Sequence, residues 1–78
     1  MERIIVTDLT VILFLNRAMC YSKMELWYKV IADTTEVLHY FNDSVKALQL
    51  RGNAFQQLGD EKLGTKDLNL AMFLLPKK

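Results

Sequence analysis

With one proline, three glycines and a single cysteine in 78 residues, the chain has little that would interrupt or staple its backbone. So few breakers, in a chain that is 51% hydrophobic, exclude a disordered tail and argue against a turn-dense β fold. A lone cysteine, Cys20, cannot form an internal disulfide, and no basic segment, apolar stretch and cleavage site of a secretory leader opens the sequence. Both features are expected of a protein from a reducing cytosol or nucleus. An excess of one charge is missing as well: ten Lys and Arg against nine Asp and Glu leave +1. No overall field therefore draws the chain to nucleic acid or to an anionic membrane. Apolar runs such as Val11 to Leu15 fall far short of the roughly 20 residues that cross a bilayer, so no membrane span is expected.

What is present is patterned. A 34-residue shift of the chain against itself superimposes Phe14 on Leu48, Arg17 on Arg51, Ala18 on Gly52, Tyr21 on Phe55, Asp33 on Asp67 and Val37 on Ala71. Size is kept at every pair. Residues 1–78 read as a single domain with repeat one at about 11–44, repeat two at about 45–78, and residues 1–10, with Ile4, Ile5 and Val6, as an extension of the first helix. A chain of this length buries only about 60% of its extended surface, so a thin stability margin is expected.

Within each repeat the apolar residues keep a helical period. Phe14, Ala18 and Tyr21, then Leu48, Gly52 and Phe55, recur at i, i+4, i+7 and mark the first helix of each hairpin. Val30, Thr34, Val37 and Leu38, then Gly64, Leu68, Ala71, Met72 and Leu75, form the stripes of the second helices. Leu58-Gly59-Asp60 is a helix stop followed by an N-cap, and Asn42-Asp43-Ser44 separates the two units and offers an N-cap to a helix starting near Val45. Four helices are expected, at about 9–23, 27–40, 45–57 and 61–74.

The 34-residue period, with Leu48, Arg51-Gly52, Phe55, Leu58-Gly59-Asp60, Leu68, Ala71 and Pro76, resembles the tetratricopeptide repeat. Repeat one carries Phe14 to Tyr21, which is similar to the second repeat of co-chaperones and large immunophilins. The resemblance spans about residues 11 to 76. It implies an all-α fold, an α-solenoid of two hairpins with four antiparallel helices, and a protein-binding role. Thr34 stands where the family usually has an aromatic, Val30 and Gly64 where it has Ala, and Asn42 where it has Pro. Glycine inside a helix costs roughly 0.5–1 kcal/mol relative to alanine, so Gly64 is expected to weaken the last helix.

In such arrays the leading helices line a groove. Opposite the packing stripes lie Ile12, Asn16, Met19 and Lys23, with Leu15 beside them, and Lys46, Leu50, Asn53 and Gln57, flanked by Gln49 and Gln56. Asn16, Met19, Lys23, Lys46, Gln49, Leu50 and Asn53 are the candidate peptide contacts. The segments 11–24 and 45–58 hold Arg17, Lys23, Lys46 and Arg51 and no acid, so a locally positive face suited to a carboxylate-bearing peptide is expected. This is similar to the clamp by which chaperone-binding family members grip the Glu-Glu-Val-Asp tail of cytosolic heat-shock chaperones. Asn16 and Lys46 match two of its five positions. Leu50 stands where the clamp has an Arg, and Arg51 points about 100° away around the helix.

Other residues receive plainer readings. Arg17 and Arg51 are expected to pack their stems between helices with their heads in water. Cys20 is read as a small core residue, and Trp27 and Tyr28 as packing or turn anchors. Asp33 and Glu36 are read as a solvated surface. A lone His39 has no second metal ligand in range, and no nucleophile elbow, phosphate loop or zinc spacing occurs, so neither an enzyme nor a cofactor is expected. Repeat arrays generally need about three units or caps, and no further amphipathic segment follows Phe73, Leu74 and Leu75. The chain is then a piece of a longer protein, or its flank is covered by self-association or a partner. An assembly module that docks a helix through its apolar flanks is the alternative to groove binding.

Overall fold

In a computed structural model that describes residues 7–75, the chain folds into α1 (Asp8–Lys23), α2 (Trp27–Tyr40), α3 (Val45–Gln57) and α4 (Glu61–Leu74). The described residues contain no strand. Each expected helix end holds to within one residue.

Capping explains that agreement. Thr7, Ser44 and Asp60 sit outside their helices, and each side chain accepts a backbone N–H three residues on, from Thr10 at 3.3 Å, Ala47 at 3.4 Å and Leu63 at 3.2 Å. Only α2 starts without a side-chain cap, on Leu26. Thr7 is extended, so the expected N-terminal extension of α1 reaches back to Asp8 and no further, and its remaining residues, 1–6, lie outside the described ones. Pro76 lies outside them as well.

The hairpin turns obey the same 34-residue rule. After α1 the Leu26 N–H donates to Tyr21 C=O at 2.9 Å and Glu25 N–H to Ser22 C=O at 3.0 Å; after α3 Asp60 donates to Phe55 at 2.9 Å and Gly59 to Gln56 at 3.0 Å. Both are Schellman closures, which need a left-handed residue at the turn. Gly59 takes it at φ 88°, whereas Glu25 takes it at φ 59° with a side chain attached.

The hairpins α1/α2 and α3/α4 pack so that α3 touches all three other helices, while α4 touches α3 alone. Val37, Leu38, Ala47, Leu48 and Ala71 form the buried cluster, with Val11, Phe14, Leu15, Val45 and Leu74 against it. Leu48 is the largest fully buried side chain, so the margin rests on few residues.

Two glycines set the α3/α4 crossing. A Cβ on Gly64 would lie 2.8 Å from the Gly52 carbonyl oxygen and 2.5 Å from Gln56 Cγ, and a Cβ on Gly52 would lie 2.8 Å from Leu68 Cγ. The expectation that Gly64 weakens α4 is therefore corrected: the missing methyl lets two backbones approach, which offsets the propensity cost. The stripe expected on α4 is corrected too. Gly64 and Ala71 are buried and Leu68 is half-buried, but Met72 and Leu75 are exposed because, among the described residues, α4 has a neighbouring helix on one side only.

Candidate functional site

Arginine and aspartate side chains organise each hairpin before any outward face is available. Arg17 on α1 grips Asp33 on α2 in a bidentate pair, Nε to Oδ2 at 2.8 Å and Nη2 to Oδ1 at 2.6 Å. Arg51 on α3 grips Asp67 on α4 in the same way, at 2.7 and 3.0 Å. Planar guanidinium and carboxylate groups match edge to edge, which fixes the relative roll of the two helices. Tyr21 and Phe55 supply matching ring faces to the two arginines, at 5.8 Å each. The hydrogen bonds it donates to Asp33, then the charge of that carboxylate, hold the Arg17 guanidinium above its ordinary pKa, so it stays a cation.

These pairs correct three expectations. Asp33 is buried and paired rather than part of a solvated surface, although Glu36 is exposed as expected. Both arginine heads are bound to carboxylates, Arg51 with 23% of its side chain exposed and Arg17 with 56% still open to water. The positive face expected of α1 and α3 is reduced, because two of its four cations are neutralised and Lys23 and Lys46 remain.

The seven candidate contacts lie on α1 and α3, which touch each other. Asn16, Lys23, Lys46 and Gln49 are exposed, while Met19, Leu50 and Asn53 are half-buried. Successive residues turn by about 100°, so Asn16, Met19 and Lys23 share one side of α1, as Lys46, Leu50 and Asn53 share one side of α3. Among the described residues none of these seven side chains enters an ion pair or a side-chain hydrogen bond. Their amide and ammonium donors are therefore unspent. Arg51 is not among them: besides Asp67 it donates to Thr35 on α2 at 3.3 Å, which takes it out of reach of a ligand on this side.

A second region escaped the sequence reading. Thr10, Leu13, Phe14 and Arg17 line an open, mainly apolar depression on the far side of α1. Cys20, expected in the core, is exposed. Its counterpart 34 residues on, Ala54, is fully buried, so the position is interior only where a helix packs against it. Trp27 is half-buried, in keeping with an anchor, but Tyr28 is 77% exposed and anchors nothing. The signal that would have found this region is the repeat itself: counterparts of buried positions on α3 recur on α1. Among the described residues no helix is long and apolar enough to cross a membrane.

Compared with known proteins, the chain matches no family model and no solved structure.

Proposed function

We propose that the chain is a protein-interaction module of tetratricopeptide type, an α-solenoid of two hairpins whose α1/α3 face holds an extended peptide with an acidic C-terminus. The observation that carries this reading is the set of unspent donors, Asn16, Lys23, Lys46, Gln49 and Asn53, bordering two helices in contact. An extended peptide has backbone carbonyls and a terminal carboxylate to offer them, and Met19 and Leu50 give its side chains an apolar bed. The 34-residue correspondence of ion pairs and turns supports the repeat assignment. The partner is a cytosolic chaperone-type protein ending in Glu-Glu-Val-Asp or a similarly acidic tail, with Asn16 and Lys46 at its terminal carboxylate. The reading assigns the module no catalysis and no cofactor.

Titration of a fluorescent peptide ending Glu-Glu-Val-Asp, beside its C-terminal amide, tests it. A charge-assisted hydrogen bond is worth about 1.5–3 kcal/mol, so Lys46→Glu and amidation are each expected to weaken binding about tenfold or more. Affinity indifferent to both changes, or no binding at millimolar peptide, removes the reading.

A further inference from the structure

Among the described residues, the two flanks left uncovered are the two halves of an interface the molecule already contains. Where α3 packs on α2, the positions Ala47 and Ala54 are fully buried and Arg51 has 23% of its side chain exposed. Their counterparts 34 residues earlier on α1 are Leu13, 60% exposed, Cys20, exposed, and Arg17, 56% exposed. The receiving side behaves in the same way. Leu38 on α2 is buried in the cluster that holds Ala47, whereas its counterpart on α4, Met72, is 71% exposed. Thr34 is fully buried and its counterpart Leu68 is not; Ile31 is half-buried and its counterpart Thr65 is exposed.

The polar contact across that interface has a counterpart as well. Arg51 Nη1 donates to Thr35 Oγ1 at 3.3 Å, and the residue 34 beyond Thr35 is Asn69, an exposed acceptor on α4. The residue 34 before Arg51 is Arg17, already aimed by Asp33 and lining the open depression.

From this we infer that the chain associates head to tail with a second copy of itself. The α1 stripe of Leu13, Arg17 and Cys20 seats on Thr65, Leu68, Asn69 and Met72 of α4 in the neighbour, as α3 seats on α2. The register follows from the internal interface: Leu13 meets Met72 and Arg17 meets Asn69. Leu13 and Met72 are together bulkier than Ala47 and Leu38, so helices at the junction stand further apart than α2 and α3 do. The flexible methionine takes up the difference in shape. The surfaces joined are different ones, so the contact is heterologous and leaves one head and one tail free at the ends of every assembly. It involves neither Asn16 nor Lys46, so it stands or falls apart from peptide binding.

Sedimentation velocity on the full chain from about 10 µM to about 1 mM, with the variants Leu13→Lys and Met72→Lys, decides it. Both positions face solvent, and circular dichroism verifies that each variant keeps its helices. Expected are a wild type whose mass keeps rising beyond a dimer, two variants that are each monomeric, and an equal mixture that forms a one-to-one dimer through the intact head of one and the intact tail of the other. A wild type monomeric throughout overturns the inference. So does a single variant that still self-associates, since that marks a symmetric contact, and so does a mixture that stays monomeric. Dilution of the unaltered chain gives an independent readout. The methyl signals of Leu13 and Met72 move together on dilution while that of Met19 stays fixed, and movement at neither flank is equally fatal.

Discussion

Replacing Glu25 by glycine is expected to stabilise the protein, and the second hairpin is the internal control. The turns after α1 and α3 make the same closing hydrogen bonds at the same lengths, 2.9 and 3.0 Å, but one places Glu25 at φ 59° and the other Gly59 at φ 88°. An L-residue in the left-handed region costs about 1–2 kcal/mol, which glycine does not incur. Glycine's extra freedom in the unfolded chain takes back about 0.4–1 kcal/mol, leaving a net gain of about 0.5–1 kcal/mol. At about 4–8 °C per kcal/mol for a domain of this size, Tm rises by roughly 2–8 °C. Thermal and urea melts followed by circular dichroism read it. Gly59→Ala is the converse change and is expected to cost about 1 kcal/mol or more. A lower Tm for Glu25→Gly, or a Gly59→Ala variant as stable as the parent, refutes the claim that these turns are equivalent and that Glu25 is strained.

Three further outcomes are expected. Gly64→Ala destabilises in a urea melt by about 1 kcal/mol, because overpacking against the Gly52 carbonyl outweighs the gain in helix propensity; a more stable variant contradicts the close-approach account. Asp67→Ala costs about 1.5–3 kcal/mol by the same assay, and Asp33→Ala costs less, because Arg17 is more open to water than Arg51 and has no Thr35 partner; equal losses refute that ranking. Leu26→Ser supplies α2 with the missing cap, and its hydroxyl is expected to accept the Tyr28 N–H and slow its amide exchange; unchanged exchange at Tyr28 contradicts the cap.

Helix number and bounds were legible in the sequence because caps and stops are local: Ser44, Asp60 and Gly59 act on residues within one turn of themselves. Burial was less legible, since it depends on what lies across from a face. Cys20 and Met72 are of types common in cores, and each is exposed because, among the described residues, the helix that covers its counterpart has no equivalent at that flank. The burial of Asp33 was hidden for a different reason. Charge alone argues for the surface, yet Arg17 and Asp33 are separated by 16 positions, as are Arg51 and Asp67, and a cation and anion repeated at one spacing announce a pair. Gly64 was judged by propensity, a property of one helix, when its role is set by the backbone of another.

The outward side of α1 and α3 is best tested by amide chemical-shift mapping of the labelled chain during titration with an acidic C-terminal peptide. Perturbations gathered at Asn16, Met19, Lys46, Leu50 and Asn53, saturating together, are the predicted result. Perturbations gathered instead at Leu13 and Met72, or none at millimolar peptide, would contradict it.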